Sequence, residues 1–306
     1  MNHFLTILTP TYNRQKCLPR LYNSLLAQSN REFRWLVIDD GSTDRTEQMV
    51  AGWIAEKKID IVYARKANGG KHTALNYGIC MTDDPLLFIV DSDDYLKENA
   101  VEVIKAYAEK YSGQKSELKL CGYSFLRAYS DGTINSIRFS ENDIVDTYRN
   151  ERINRKDTGD KAEVYYTDVL KKYPFPVFAG EKFLPEDTVW IRMSGPYQMV
   201  HVNQVIYICD YLEGGLTKTG RYMKVHSPYG MMCRSAAYLN DNGVIVSVRM
   251  KMLLLYVIYE YFAGKNGQRN ESAEEYGIKK GVAYRLLKIP GFVLYLRWCY
   301  KYKDMK

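Results

Sequence analysis

The feature that most restricts the fold of this chain is the alternation of short apolar runs with helical patterns over its first hundred residues. Four runs are short and rich in β-branched or aromatic residues, as buried strands are. They are residues 4–8 (FLTIL), 35–38 (WLVI), 59–63 (IDIVY) and 86–90 (LLFIV). Between them, apolar residues recur at helical spacing, for example at Leu18, Leu21 and Leu25. This alternation predicts an α/β fold with a mostly parallel, Rossmann-like sheet flanked by helices.

The pattern becomes less regular after the fourth run. A helix is predicted over residues 97–111 and a strand near 118–126, followed by an Asp131-Gly132 turn. The stretch 140–162 is polar and irregular, which predicts either a mobile loop over a site or a solvated connector. Both interpretations leave this stretch without strands or helices.

Polar residues follow all four apolar runs, where a parallel sheet binds its ligands. In such sheets the ligand lies beyond the carboxyl ends of the strands. The four motifs are Thr9-Pro10-Thr11-Tyr12-Asn13, Asp39-Asp40-Gly41-Ser42, Asn68-Gly69-Gly70-Lys71 and Asp91-Ser92-Asp93-Asp94. Each motif alone is typical of a turn or a helix cap. Their recurrence at four consecutive strand ends indicates one binding site.

Two of these motifs are acidic, and they would repel each other at one sheet edge unless a cation or hydrogen-bond donors stood between them. The pair Asp91 and Asp93 suits a hard divalent ion, because carboxylate oxygens satisfy Mg²⁺ or Mn²⁺ while a diphosphate fills the remaining positions. Such an ion neutralises charge on a departing nucleoside diphosphate. The predicted cofactor is therefore Mn²⁺ or Mg²⁺.

The motifs together resemble those of glycosyltransferase family 2, the inverting enzymes with the GT-A nucleotide-binding fold. The resemblance runs through TILTPTYNR, VIDDGSTDRT, ANGGKHTALNYGI and IVDSDDYL, in matching order and spacing, from residue 4 to about residue 100. Residues 180–195 (GEKFLPEDTVWIRMSG) are similar to the later Glu-Asp element of the family. The resemblance implies a GT-A nucleotide-sugar-binding and catalytic domain, predicted at residues 1–222. A helical, basic and aromatic C-terminal extension is predicted at residues 223–306.

The resemblance also implies roles for individual side chains in binding the donor. The implied donor-binding residues are Pro10, Thr11, Tyr12, Asn13, Asp40, Asn68, Gly70, Lys71, Asn76, Asp91 and Ser92. Among them, Asp40 would accept a hydrogen bond from the base and Lys71 would face phosphate. Asp91 would meet the ribose or the sugar, and Asp93 together with Asp91 would hold the metal. Asp39 would instead stabilise its own turn.

For catalysis, the resemblance points to Glu186-Asp187, with Asp187 as the general base. The pair precedes a helical pattern, and the dipole at a helix N-terminus favours the carboxylate form. From the residues alone, an ordinary acid at a helix start is the preferred explanation of the pair. The implied reaction is a direct displacement in which Asp187 deprotonates the acceptor hydroxyl, so the configuration at the anomeric carbon inverts.

The implied donor is a uridine-linked nucleotide-sugar, and the implied acceptor is a hydroxyl of a glycan or a lipid-linked molecule in polysaccharide synthesis. Two alternatives stay open. A nucleotidyltransferase shares a Rossmann-like sheet and acidic metal ligands, but it needs a Gly-rich, basic phosphate loop in place of residues 9–13. A catalytically inactive nucleotide-sugar-binding protein is disfavoured by the intact Asp91, Asp93 and Asp187.

The formal net charge of +7 lies entirely in the C-terminal tail, because residues 279–306 hold eight Lys or Arg and one Asp. The remainder is balanced, which argues against a nucleic-acid-binding face. Residues 284–302 mix aromatic and basic side chains, as interfacial helices do, and Pro290-Gly291 is predicted to interrupt them. The tail is therefore predicted either to contact anionic lipid peripherally or to pack on the catalytic domain.

The six cysteines lie far apart, without metal-binding spacing, and the N-terminus lacks a secretory apolar region. Both features predict a reducing, cytoplasmic location, with the inner face of the cell membrane as the site of any peripheral contact. No segment reaches the roughly 20 apolar residues that a spanning helix requires.

Overall fold

The structure is a computed structural model that describes residues 3–209, 216–265 and 275–302, with only the backbone described at 216–219. The described residues within Met1–Pro174 and Pro196–Tyr211 form one compact unit, and those within Phe175–Gly195 and Leu212–Lys306 form a second. The domain boundary predicted at residue 222 stays a prediction.

The first unit alternates strands and helices over its first half, as the apolar runs predicted. Its strands are β1 Leu5–Thr11, β2 Phe33–Asp39, β3 Asp60–Arg65, β4 Leu86–Ile89, β5 Tyr95–Leu96, β6 Leu120–Ala128, β7 Ile144–Asp146, β8 Lys161–Tyr166 and β9 Gln198–Ile208. Its α-helices are α1 Leu18–Leu26, α2 Thr46–Glu56, α3 Lys71–Met81, α4 Ala100–Lys110 and α5 Thr167–Leu170. A short π-helix spans Arg149–Asn154.

These strands form one mixed sheet in the order β3-β2-β1-β4-β8-β6-β9-β5, and β7 also pairs with β9. The neighbours among β1, β2, β3 and β4 are parallel, whereas β8 is antiparallel to both β4 and β6. Every residue of β1 is buried, as expected for a strand covered on both faces. The predicted mostly parallel α/β sheet is confirmed. Because β1 lies between β2 and β4, the strand order reverses there and leaves a crevice at their carboxyl ends.

The stretch 140–162, predicted to be a loop or a connector, instead contains β7, the π-helix and the first residues of β8. Its polar residues form a buried ionic network. The fully buried Lys161 Nζ lies 2.9 Å from Asp157 Oδ2, and Arg152 Nε lies 3.5 Å from the same oxygen. The prediction was wrong because these charged side chains pair with one another inside the unit. A polar sequence in this stretch therefore does not indicate exposure to solvent.

The helices described in the second unit pack mainly through aromatic and aliphatic side chains. They are α6 Asp187–Met193, α7 Leu216–Val225, α8 Pro228–Asn240, α9 Val246–Lys265 and α10 Val282–Lys301. α10 runs through Pro290 without a break, so the predicted interruption was wrong. Gly291 lies so close to α9 that a Cβ atom there would sit 2.6 Å from Val257 Cγ1. Close packing on α9 therefore outweighs the backbone hydrogen bond that proline cannot donate.

Candidate active site

The end of β1 is tied to the loop after β2 by Asn13. This residue adopts a left-handed conformation with φ of 54°. Its side-chain Oδ1 accepts a hydrogen bond from the Thr43 N–H at 2.7 Å, and its own N–H donates to Ser42 Oγ at 2.8 Å. Pro10 and Thr11 are buried in β1, whereas Tyr12 is 46% exposed at the strand end. Asn13 thus fixes the first two strand-end motifs against each other.

The adjacent aspartates Asp39 and Asp40 are both buried, yet they serve different turns. Asp39 Oδ1 accepts a hydrogen bond from the Ser42 N–H at 2.6 Å, and its Oδ2 accepts one from the Tyr63 hydroxyl at 2.6 Å. Asp39 therefore stabilises the turn after β2, which is the role predicted for it. Its carboxylate is satisfied within the protein.

Asp40 holds the Asn68-Gly69-Gly70 turn. Its carboxylate accepts hydrogen bonds from Lys66 Nζ at 2.6 Å and from the backbone N–H groups of Gly69 at 3.0 Å and Gly70 at 2.7 Å. The side-chain amide of Asn68 donates to the Asp40 carbonyl at 2.9 Å. The contacts of Asp40 within the described residues therefore organise the second and third motifs, and the predicted hydrogen bond to a base stays a prediction.

Gly70 starts α3 with φ of 94°, a conformation that side chains strongly disfavour. It is followed by Lys71, whose Nζ lies 2.5 Å from Asp91 Oδ1 and so links the third motif to the fourth. His72 is buried in the same turn, and this burial lowers the pKa of its imidazole to about 4, so the ring is neutral at physiological pH. Asn76 lies half-buried further along α3.

The acidic motif after β4 is surrounded by cationic and hydroxyl groups from other strands. Arg127 of β6 places Nη1 3.7 Å from both Asp91 Oδ2 and Asp94 Oδ2, and the Tyr207 hydroxyl of β9 donates to Asp94 Oδ2 at 2.8 Å. Burial raises the pKa of Asp91, but Lys71 and Arg127 outweigh it and hold the pKa below its usual value. Burial and the neighbouring Asp91 raise the pKa of Asp94. Protein donors thus limit the repulsion expected among these carboxylates.

Asp93 differs from its neighbours because it is held more loosely. Its Oδ2 lies 3.6 Å from Arg14 Nη2, whereas Asp91 lies 2.5 Å from Lys71 Nζ. Arg20 donates to its backbone carbonyl, while the neighbouring Ser92 is buried. Within the described residues, no three His, Cys, Asp or Glu side chains form a cluster that would hold a metal by themselves. Mg²⁺ is usually bound by one or two carboxylates when phosphates complete its shell, so the metal role predicted for Asp93 and Asp91 stays a prediction.

In the second unit, Asp187 is the first residue of α6 and Glu186 is its N-cap. Arg234 of α8 donates from Nε to Asp187 Oδ1 at 2.8 Å, and its Nη2 lies 2.5 Å from Oδ2. The Tyr238 hydroxyl also donates to Oδ2, at 2.6 Å. Burial raises the pKa of Asp187, but Arg234 and Tyr238 outweigh it and lower the pKa. Asp187 is therefore a carboxylate at neutral pH.

Direct contacts join the four strand-end motifs in sequence: Asn13 with Ser42, Asp40 with Gly70, and Lys71 with Asp91. The binding roles of the predicted donor-site residues stay predictions. Asp187 and Glu186 belong to the second unit, and their place in a common cleft with those motifs stays a prediction. The motifs did not reveal the partner side chains Arg127, Tyr207 and Arg234. Arg127 had one usable signal, because it is a cation within the otherwise apolar run of β6.

Residues 6–114 match the family described as Glycosyl transferase family 2. These residues belong to glycosyl transferase family 2. The family predicted from the motifs is confirmed. Poly(ribitol-phosphate) beta-N-acetylglucosaminyltransferase TarS from Staphylococcus aureus strain MW2 is 22% identical over 197 residues, which are 63% of this chain but 34% of TarS. The chain therefore matches about a third of the length of TarS. Glycosyltransferase GlyG from Streptococcus pneumoniae serotype 4 is 25% identical over 72% of this chain and 74% of GlyG.

Solved structures with the same fold extend this likeness over nearly the whole chain. A crystal structure of TarS residues 1–349 in complex with UDP-GlcNAc aligns with a TM-score of 0.62 and 20% identity, covering 97% of this chain and 81% of that chain. A mannosyltransferase from Pyrobaculum calidifontis in complex with GDP-Man and Mn²⁺ aligns with a TM-score of 0.57 and 14% identity. The alignment covers 99% of this chain and 87% of the mannosyltransferase chain. The predicted GT-A type fold is confirmed.

Proposed function

We propose that this chain is an inverting glycosyltransferase that transfers a sugar from a UDP-linked donor to a hydroxyl of a glycan or lipid-linked acceptor. One observation supports the proposal. A series of contacts runs along the rim that is formed by the ends of β1, β2 and β4 and by the start of α3. Asn13 reaches Thr43, Asp40 holds Gly70, and Lys71 pairs with Asp91. N-acetylglucosamine is the first candidate for the donated sugar, because TarS is named for that transfer and was solved with UDP-GlcNAc.

The first unit supplies the donor site. Lys71, Arg127 and Arg14 carry positive charge beside the acidic motif, and each lies within 4 Å of Asp91 or Asp93. When a diphosphate arrives, these cations can shift part of their pairing from carboxylate to phosphate oxygens. The exposed ring of Tyr12 and the peptide groups around Gly70 flank the same rim. This arrangement suits a ligand with a planar base, a ribose and two phosphates.

Asp93, together with Asp91, would hold a divalent cation shared with the diphosphate. When bound, Mn²⁺ or Mg²⁺ supplies positive charge that stabilises the leaving nucleoside diphosphate. Asp93 suits this position better than Asp91, because Asp91 already has a close ion pair with Lys71 at 2.5 Å, whereas Asp93 lies 3.6 Å from Arg14. The assignment of Asp93 as the principal ligand agrees with the role that the family resemblance implies.

Asp187 would act as the general base toward the acceptor hydroxyl, with Glu186 beside it. The hydrogen bonds from Arg234 and Tyr238 converge on Oδ2, while Oδ1 accepts one from Arg234 Nε at 2.8 Å. A carboxylate oxygen has two lone pairs, so Oδ1 keeps one for the acceptor proton. Arg234 would then orient the carboxylate and keep it ionised before the proton is taken.

A thermal-shift series tests the donor site, with UDP, GDP and UDP-N-acetylglucosamine added with and without Mn²⁺. We expect UDP and its sugar conjugate to raise the unfolding temperature more than GDP does, since bound ligand stabilises the folded state. Lys71→Gln should lose most of that shift, whereas Lys57→Gln, an exposed lysine beyond α2, should keep it. No shift with any nucleotide would contradict the proposed donor site.

A turnover assay tests the chemistry separately. The wild-type chain is incubated with UDP-N-acetylglucosamine and candidate polyol or glycan acceptors, and both UDP release and the product's anomeric configuration are measured. We expect a β-linked product from the α-linked donor, because a single displacement inverts the anomeric centre. Retention of configuration would refute the single-displacement mechanism even if the nucleotide binds.

A further inference from the structure

α10 exposes a continuous apolar stripe in the second unit. The six residues of this stripe are Val282, Leu286, Ile289, Val293, Leu296 and Tyr300. Their spacing alternates between four and three positions, so they lie on one side of the helix. Between 49% and 86% of each side chain is exposed. A stripe of this length differs from the scattered single apolar residues that ordinary surfaces carry.

The opposite side of α10 is the one that packs inside the unit. Gly291 approaches Val257 of α9, Tyr284 is buried in the cluster that contains Tyr256, and Trp298 contacts the ring of Tyr259 edge-on. These contacts lie within the second unit, so the packing of the tail on the catalytic domain predicted at residues 1–222 stays a prediction. α10 packs through one face and leaves a second apolar face uncovered.

Charge on α10 favours one kind of occupant for the stripe. Helical spacing places Arg285 along one edge of the stripe and Arg297 and Lys301 along the other, and α10 contains no acidic residue. The lysines nearer the packed side are already neutralised, because Lys280 and Lys288 both donate to Glu260 of α9, at 2.8 Å and 2.6 Å. Within the described residues, the cations that border the exposed apolar stripe have no carboxylate partner, unlike the two lysines on the packed side.

We propose that the stripe of α10 docks on an anionic lipid bilayer, with its apolar side chains inserted at the interface and its flanking cations on the lipid phosphates. This goes beyond the proposed transferase function and does not depend on it. An apolar face bordered by Arg and Lys is what interfacial helices present to such membranes. The helix lies along the surface, since no helix of the described chain is long and apolar enough to cross a membrane.

A second copy of the chain fits the same stripe less well. The spacing would allow two α10 helices to pair as in a coiled coil, where flanking charges of opposite sign set the partner. Here both flanks are basic and the helix offers no acid, so pairing would place Arg285 and Arg297 against cations of the other copy. Charge complementarity therefore selects the anionic membrane over self-association.

Vesicle flotation of the full chain tests the proposal, with phosphatidylcholine vesicles that contain or lack phosphatidylglycerol. We expect flotation with the anionic vesicles and its loss at high salt, because the charge attraction is screened. The variant Leu286→Gln/Ile289→Gln/Val293→Gln should weaken the partition coefficient roughly tenfold per substituted side chain. Glutamine keeps helix propensity, and the three positions are exposed, so folding should be preserved.

Two matched controls distinguish the stripe from non-specific hydrophobic adsorption and from non-specific electrostatic attraction. Val246→Gln/Met250→Gln alters exposed apolar residues of α9 and should float like the wild type. Arg285→Glu/Arg297→Glu should abolish flotation, whereas Lys57→Glu/Lys58→Glu in the first unit should not. Circular dichroism and the UDP thermal shift report folding of each variant. The proposal is overturned if the stripe variant floats normally, or if sedimentation shows a dimer of the wild type that the stripe substitutions dissociate without any effect on lipid binding.

Discussion

Replacing Asp40 by Asn distinguishes a residue that holds the glycine turn from one that mainly contacts a nucleotide base. Asp40 is 4% exposed and accepts hydrogen bonds from Lys66 Nζ and from the N–H groups of Gly69 and Gly70. In Asn, one oxygen becomes an NH₂ group that faces a backbone donor. An unsatisfied buried N–H costs about 1–3 kcal/mol. Losing the charge opposite Lys66 adds about 1 kcal/mol, the difference between charged and neutral hydrogen bonds.

We therefore expect Asp40→Asn to lower the free energy of unfolding by roughly 2–4 kcal/mol, or the midpoint by on the order of 1 M urea. Urea unfolding followed by tryptophan fluorescence measures this, and hydrogen exchange of residues 66–75 shows whether the glycine amides lose protection. Asp60→Asn is the matched control. Its side chain is 42% exposed and bonded to Arg34, so it should cost under about 1 kcal/mol.

The same experiment can refute the structural role. If Asp40→Asn unfolds at the wild-type midpoint and keeps its amide protection, Asp40 does not organise the turn. A variant that is stable but no longer prefers UDP over GDP would support the base contact that the family resemblance implies. A variant that is both unstable and unselective would show that the turn must be intact before the base is recognised.

Four further predictions concern the acidic groups of the two units. Asp187→Asn should lower turnover by about 10²–10⁴-fold with little change in UDP affinity. Arg234→Gln should raise the pKa of Asp187. The acid limb of the pH–rate profile should then move to higher pH, because ionisation of the base is lost as pH falls through its pKa. Asp93→Asn should keep the thermal shift with UDP alone and lose the increment from Mn²⁺; an unchanged increment would remove Asp93 from the metal site. Burial raises the pKa of Glu181 to about 7, against the hydrogen bonds from the Tyr229 and Gly230 N–H groups, which lower it. The unfolding temperature of the second unit should therefore fall as pH rises from about 4.5 to about 7, and Glu181→Gln should flatten that dependence.

The elements that the sequence predicted correctly are those with a local pattern of apolar residues. β1, β2, β3 and β4 each carry a short apolar run, and the helices between them repeat apolar residues at helical spacing. Because these strands are parallel, their carboxyl ends lie at one edge of the sheet, so the sequence alone predicts that the strand-end motifs lie together. The placement needed only the period of hydrophobicity and the chain order.

The parts that escaped prediction depend on contacts between distant positions. The buried ionic network around Lys161 stabilises a stretch whose polar composition predicts a loop. Composition does not show which charged side chains form ion pairs. Tyr207 reaches Asp94 from 113 positions away, and Arg234 reaches Asp187 from 47 positions away. No local period encodes such pairs. Pro290 is the reverse case, where a strong local signal for a helix end is overruled by the packing of α10 on α9.

The acidic edge of the sheet also explains why a metal and a nucleotide would bind together at this site. Three carboxylates of the motif after β4 face Lys71, Arg127 and Arg14, so the charges nearly balance within the protein. A divalent cation alone would encounter carboxylates that are already paired, so its binding would be only weakly favourable. A diphosphate alone would add negative charge to a balanced site and would bind less tightly than it does together with the cation. Together they add little net charge, and each makes the site more favourable for the other, so the affinity of each should rise in the presence of its partner.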